Sequence, residues 1–425
     1  MHEPIDIAFG LAVLAAALMA AGHAVIYKRD SRSASIWVLV IMALPAAGPV
    51  LYLLMGINRV QRRAARLRRA MVRHRAVPPD VKAEPGGHLA PLARLVGQVV
   101  KRPLLTGNSI EVLVDGAAAY PAMLEAIDSA RASIALASYI FNGDGIGAQF
   151  VAALERAAKR GVAIRVLVDD VDARFSWSSA CKPLRRAGIT VGVFNPPIVP
   201  ARLNAFNLRN HRKILIVDGT LGFTGGMNID KRYWRPEAPA EAFRDLHFRL
   251  RGPVVTQLAE VFADDWQFST DEALRGAPWF VPLEAAGPCI ARIIEAGPDE
   301  GLESLRWAIV GGLDAAQRSV RVLTPYFIPD SALITALNAA ALRGIEVDIV
   351  LPATSDLPHV HWATFGQLWQ VLDHGCRVWT SSGPFDHSKL MVVDGAWTLL
   401  GSANWDARSL RLNFELNAEC YSVEL

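Results

Sequence analysis

Paired cysteines are missing from this sequence. Its four, Cys181, Cys289, Cys376 and Cys420, lie far apart and form no CxxC or CxxxH spacing. That excludes a zinc ribbon or a disulfide framework and leaves scattered core thiols in a reducing compartment. No cluster of residues at metal-ligand spacing accompanies the motifs described below, so no metal and no cofactor is expected. Residues 104–425 also lack a basic stripe with interleaved aromatics, which argues against a nucleic-acid groove. The formal net charge of +3 decides nothing by itself.

Ionisable residues are absent altogether from Ala34 to Ile57, and Ile5 to Tyr27 is broken only by Asp6 and His23. Each run is about the 20 residues that cross a hydrocarbon core as a helix. The acidic start MHEPID speaks against a cleaved signal peptide. Pro45, Gly48 and Pro49 should kink the second run, so a two-helix transmembrane hairpin and a re-entrant hairpin both fit. Eight arginines between Arg59 and Arg75 place that flank, and the chain after it, on the cytoplasmic side. The same cluster suits anionic lipid headgroups. Two spans would then set the loop with Lys28, Arg29 and Arg32 outside, where it fits poorly. Residues 1–58 are thus expected as a membrane anchor and 59–103 as a basic juxtamembrane segment and linker.

From Leu104 onward strands and helices alternate, as in a parallel or mixed sheet covered by helices. SIALASYIF reads as a strand, Gln149 to Lys159 as a helix capped at Arg160-Gly161, and VAIRVLVDD as the next strand. The rhythm returns with a helix over Leu305 to Arg318, the strand VRVLTPYFIPD, a helix over Ser331 to Arg343, and IEVDIVLPA. The two Arg-Gly pairs lie 183 residues apart, Tyr139 and Tyr326 187, and His211 and His387 176. Landmarks in one order with little drift imply an internal duplication of about 150 residues per unit. The expected units are 104–270 and 271–425.

Each unit carries one copy of the same motif: NHRKILIVDG at Asn210 to Gly219, and DHSKLMVVDG at Asp386 to Gly395. Alternation along a strand puts His211 with Lys213 on one face, and His387 with Lys389. The apolar run after each lysine suits a strand covered on both sides. After six intervening residues each aspartate is followed by GGMN or GSAN, where glycines let backbone N–H groups near an anion and Asn228, Ser402 and Asn404 add side-chain donors. Two such units facing each other suit a phosphodiester. One histidine attacks phosphorus, the other protonates the leaving oxygen, and lysines and asparagines hold the developing charge. The lysines then do what a metal ion does elsewhere. Asp218 and Asp394 end their strands and read as braces acting through turn hydrogen bonds.

The paired motif resembles the phospholipase D superfamily. The two apolar N-terminal runs, SYIF, GGMNI, TPYFIPD and NWDARSLRLNFE narrow the resemblance to the bacterial cardiolipin synthases. The resemblance spans nearly the whole chain. It implies an α/β fold of two tandem phospholipase D-like α-β-α sandwich domains forming one pseudo-twofold catalytic unit behind the anchor. It implies a metal-independent phosphatidyltransferase of the bacterial inner membrane, multi-pass, with phosphatidylglycerol as substrate. His211 would form a phosphatidyl-histidine and His387 would serve as acid and then base, although the opposite assignment stays open. The resemblance also implies that carboxylates orient the histidines: Asp245, 34 residues after His211, and Glu415, 28 after His387. A hydrolase of the same superfamily is the alternative activity, and a nuclease a more distant one.

Other features read more plainly. His359 and His361 have no partner for a metal and suit a loop or core role. Trp362, Phe365 and Trp369 recur at helical spacing, as in a helix core or a surface meeting lipid. Trp234 is a weaker candidate for lining an acyl-chain channel.

Overall fold

The computed structural model describes residues 3–28, 31–56, 83, 85–176, 178–194, 209–298, 301 and 303–424. The arginine cluster from Arg59 to Arg75 and the loop residue Arg29 lie outside these. The chain divides into two compact units, Met1–Ala64 and Ala65–Leu425.

In the first unit a helix runs from Glu3 to Tyr27, and over Asp6–Tyr27 it is long and apolar enough to cross a membrane. Among the described residues it is the one helix that meets both conditions. The second apolar run does not form a continuous span. It is a helix over Ser31–Ala43, a turn, a short helix over Gly48–Leu51 and a π-turn over Tyr52–Gly56. Pro45 and Pro49 each remove an amide donor from the ladder. Gly48 lets the chain double back, since a Cβ there would lie 2.6 Å from Ile41 Cα. Ala17, Ala24, Ile41 and Tyr52 form the small core of this unit. His23 Nδ1 and Tyr52 Oη share a hydrogen bond of 2.8 Å.

The second unit is built on β1 (Leu105–Val114), β2 (Ser133–Ser138), β3 (Ala163–Asp169), β4 (Thr190–Phe194), β5 (Ile214–Val217), β6 (Leu221–Gly225) and β7 (Leu246–Arg251). After a helix over Val254–Thr270 and a segment without helix or strand come β8 (Cys289–Ala296), β9 (Ser319–Leu323), β10 (Phe327–Ile328), β11 (Glu346–Pro352) and β12 (Arg377–Ser381). β13 (Leu390–Val393), β14 (Trp397–Gly401), β15 (Trp405–Asp406) and β16 (Glu415–Tyr421) complete it. All but β10 and β15 belong to one sheet, in the order 12-11-9-13-14-16-8-1-7-6-5-2-3-4. Read outward from the adjacent pair β8 and β1, the two sides repeat. Each begins with antiparallel neighbours and ends in parallel β9-β11-β12 or β2-β3-β4. The halves are therefore joined by strand pairing into one mixed α/β body rather than standing apart.

Hydrophobic cores cover the sheet in each half, one around Phe141, Phe150 and Leu215, the other around Trp397, Val322 and Leu337. β2 and β5 are buried at every position, which is why their sequences run apolar without alternation.

Candidate active site

Both motif histidines stand at the entrance to a strand rather than within it. β5 begins at Ile214 and β13 at Leu390, so the His and Lys positions precede their ladders. Backbone pairing with the other half explains this. Asn210 bridges to Phe414 and Arg244 to Asp386. His211 N–H donates to Phe414 O at 2.9 Å, and His387 N–H to Arg244 O at 2.8 Å.

Those bridges decide which carboxylate meets which histidine. Counted along the chain, Asp245 follows His211 and Glu415 follows His387, but the pairs cross. His211 Nδ1 lies 3.0 Å from Glu415 Oε2, and His387 Nδ1 lies 2.9 Å from Asp245 Oδ2. Each imidazole is thus held by a residue of the opposite half.

The two pairs differ chemically. Ser402 Oγ donates to Glu415 Oε2 at 2.6 Å and Asn413 Nδ2 to Oε1 at 3.1 Å. Ser402 is therefore turned onto the carboxylate and does not line the cavity between the motifs. At the matching position of the first half stands Gly226, where a Cβ would lie 2.3 Å from Asp245 Oδ1. Asp245 gets its close seat but no hydroxyl donor. Its Oδ1 accepts from Leu246 N–H at 2.8 Å, and Tyr233 Oη lies 3.1 Å from His387 Nδ1.

Burial raises Glu415, but the charges of His211 and Lys213 and the Ser402 hydroxyl outweigh it and leave the carboxyl below its usual range. Asp245 is pushed up to about 8 by burial, against the pull of Lys389. Burial lowers His211 despite the charge of Glu415. His387 falls well below its ordinary value through burial and the charges of Lys389 and Lys213. Lys213 is lowered to about 7 and Lys389 to about 8, both chiefly by burial. Each ammonium donates to the backbone oxygen of its own histidine, Lys213 at 2.7 Å.

Both histidines open into a cavity of about 540 Å³. Asn228 and Asn404 line it, as do Tyr139 and Tyr326. These tyrosines pack their rings against the two histidines, with centroids 5.0 and 6.3 Å apart. Asn228 Oδ1 accepts from Ile140 N–H at 3.3 Å. Asn404 Nδ2 meets Ser409 Oγ at 3.3 Å, while its amide oxygen has no partner. Arg209, Arg232 and Arg408 contribute basic side chains to the same walls, and Asp356 and Asp406 acidic ones. Spacing marked none of these arginines. Tyr233 was equally silent, since its partner His387 is 154 residues away.

Asp218 and Asp394 do not reach the cavity. Asp218 accepts from the N–H groups of Arg131, Ala132 and Ser133 at 2.7–3.2 Å. Asp394 does the same for Gln317, Arg318 and Ser319 and also meets His88 Nε2 at 2.8 Å. Both have left-handed backbones, φ 51° and 55°, in tight Asp-Gly hairpin turns. Each clamps its hairpin to the start of the neighbouring strand. Asp218→Ala should therefore cost about 2–4 kcal/mol of stability, by loss of a charged acceptor shared by three donors. Thermal unfolding in detergent checks this, and an unchanged midpoint would refute the bracing role.

Among the described residues no three His, Cys, Asp or Glu side chains gather in a group able to hold a metal. His359 lines the cavity, and His361 packs on Phe365 with centroids 4.4 Å apart. Trp234 packs against Tyr120 and is not part of the cavity wall.

Comparison with known proteins fits this geometry. A family model described as "Cardiolipin synthase, PLD-like domain" matches residues 123–266 and 309–425. A second, described as "Phospholipase_D-nuclease N-terminal", matches residues 15–56. The chain is 32% identical over 398 residues to a cardiolipin synthase of a Geobacillus species, covering 91% of this chain and 79% of that one. It is 34% identical over 414 residues to the major cardiolipin synthase ClsA of Bacillus subtilis, covering 94% and 86%. Among solved structures, phosphatidylserine synthase from Haemophilus influenzae shares the fold, with a TM-score of 0.59 at 14% identity over 79% of this chain and 87% of that one. By its family model and by relatives above 30% identity along nine-tenths of its length, the chain belongs to the bacterial cardiolipin synthase family of the phospholipase D superfamily.

Proposed function

We propose that this chain makes cardiolipin by moving a phosphatidyl group from one phosphatidylglycerol to another, with His211 as nucleophile and His387 as acid and base. The observation that carries the assignment is the unequal support of the two imidazoles. Ionised Glu415, fed by Ser402 and Asn413, can only accept, so His211 keeps its hydrogen on Nδ1 and presents a free lone pair at Nε2. A protonated Asp245 instead carries its hydrogen toward His387 Nδ1, which leaves the His387 hydrogen on Nε2. One histidine is thereby poised to attack and the other to give up a proton.

In the first step His211 Nε2 bonds to phosphorus and the phosphorus–glycerol oxygen bond breaks. That oxygen takes the proton from His387 Nε2 while Nδ1 takes the proton of Asp245, so the imidazole stays neutral. The extra positive charge on the phosphatidyl-imidazole rests against Glu415. In the second step a terminal hydroxyl of another phosphatidylglycerol gives its proton to His387 Nε2 as Nδ1 returns its proton to Asp245, and the oxygen attacks phosphorus and displaces His211. Two phosphatidylglycerols yield cardiolipin and glycerol, and both histidines return to their starting states. Lys213 and Lys389 stabilise the non-bridging oxygens. Asn228 offers its amide nitrogen, and Asn404 can do so after a half-turn of its amide. We read the two domains as the two halves of the sheet, and the N-terminal unit as a hairpin holding the body at the cytoplasmic face of the inner membrane.

Incubation of the purified protein with phosphatidylglycerol alone tests the reading. Cardiolipin and glycerol should appear together, and phosphatidic acid without cardiolipin would make the protein a hydrolase. The lysines predict the pH profile. With Lys213 near 7, and Lys389 and Asp245 near 8, kcat/KM should fall as pH rises through 7 to 8 and the ammonium charges and the Asp245 proton are lost. Arginine stays charged, so Lys213→Arg should move that alkaline limb upward even where its maximum rate is lower. An unmoved limb would detach it from Lys213.

A further inference from the structure

One stretch of the body is apolar on two sides. The helix over Pro358–Phe365 buries Thr364, and the short helix over Trp369–Leu372 with Leu368 just before it turns Leu368 and Val371 into the core. Their opposite side carries Trp362, Phe365, Trp369 and Leu372 at steps of three, four and three residues. These are 73, 40, 61 and 47% exposed. Elsewhere in the described body, exposed large apolar side chains such as Trp307 and Leu342 are scattered. A stripe of this kind, in contact with water, marks an interaction surface. Two tryptophans on it suit the boundary between headgroups and acyl chains, where an amphipathic indole is most stable.

Position tells what covers it. The same first helix supplies His359 and Val360 to the wall of the active-site cavity, and Leu357 just before it does so too. The stripe is thus continuous with the mouth through which substrate enters. Three arginines against two aspartates on that cavity's walls (Arg209, Arg232 and Arg408, with Asp356 and Asp406) favour an anionic headgroup. We propose that residues 357–372 form an interfacial lip that seats the cavity mouth on the anionic bilayer, so that phospholipids pass from the membrane to His211 and His387 without crossing water. This rests on the phospholipid reading of the site given above. A second copy of the chain is the competing occupant.

The test uses the full chain reconstituted in phosphatidylcholine vesicles containing phosphatidylglycerol. The native cysteines are all buried, so a nitroxide can be placed through Trp362→Cys or Trp369→Cys, with Lys159→Cys on an exposed helix end as reference. The labels at 362 and 369 should be reached by oxygen about fivefold better, relative to a water-soluble nickel reagent, than the label at 159. Equal access of the nickel reagent at all three sites would overturn the proposal. So would shielding of 362 and 369 from both reagents, which signals protein contact. The double variant Trp362→Ser/Trp369→Ser should lose about tenfold in kcat/KM on vesicles of long-chain phosphatidylglycerol. On monomeric dihexanoyl-phosphatidylglycerol it should stay within about twofold of the parent. Equal rates on vesicles, or equal losses on both substrates, would contradict the lip. The depth readout needs no turnover, so an inserted but inactive protein would refute phosphatidyl transfer and leave the lip standing.

Discussion

Alanine at His211 should reduce phosphatidyl transfer by about 10⁵-fold or more, if His211 supplies the nitrogen that bonds to phosphorus as proposed. The loss should be the same for every leaving group. Alanine at His387 should behave differently. With phosphatidylglycerol it removes the proton donor, and turnover should fall by about 10²–10⁴-fold. With p-nitrophenol in place of glycerol, the leaving group departs as a stable anion and needs no acid. The His387→Ala protein should then release one equivalent of p-nitrophenol in a burst and stall as the phosphatidyl-enzyme. Should the burst come instead from His211→Ala and be absent from His387→Ala, the two roles are reversed.

Glu415→Gln is the second large effect. Its carboxylate accepts from Ser402, Asn413 and His211 Nδ1, whereas a glutamine can turn an N–H toward Nδ1 and drive the hydrogen to Nε2. The lone pair needed for attack is then lost, and kcat should fall by roughly 10³–10⁴-fold. Asp245→Asn looks like the same substitution by the pseudo-twofold, yet it should cost only about 10–100-fold. An asparagine N–H can hold His387 in the same tautomer, although it cannot pass a proton to it. Ser402→Ala, which removes a donor from Glu415 without altering its charge, should lie near tenfold. Rates measured side by side decide it. Equal losses from Glu415→Gln and Asp245→Asn would mean that the two halves are chemically alike and would remove the basis for assigning the nucleophile.

Much of this was legible in the sequence. The spacing of the two motifs, the alternation of strands and helices, and the strand-ending role of Asp218 and Asp394 all depend on neighbours within a few residues. Local chemistry suffices for those. The crossing of the carboxylates was not legible, because it follows from bridges between Asn210 and Phe414 and between Arg244 and Asp386. Such pairings join residues more than a hundred positions apart, and a count along the chain favours the wrong partner. Ser402 was misdirected for the same reason: a glycine-rich turn suggests anion binding, while the side chain's nearest acceptor, Glu415, arrives on β16. The break in the second apolar run was half visible in Pro45, Gly48 and Pro49, but composition could not show the chain folding back onto Ile41. Trp362, Phe365 and Trp369 present the same period whether a helix faces core or solvent, so their exposure needed coordinates.

The most direct test of the central claim is to quench the His387→Ala protein in acid-free conditions after one turnover with p-nitrophenyl phosphatidate and to map the adduct by mass spectrometry. The account predicts a phosphatidyl group on the peptide containing His211. An adduct on any other residue, or full release of p-nitrophenol with no adduct at all, would contradict it.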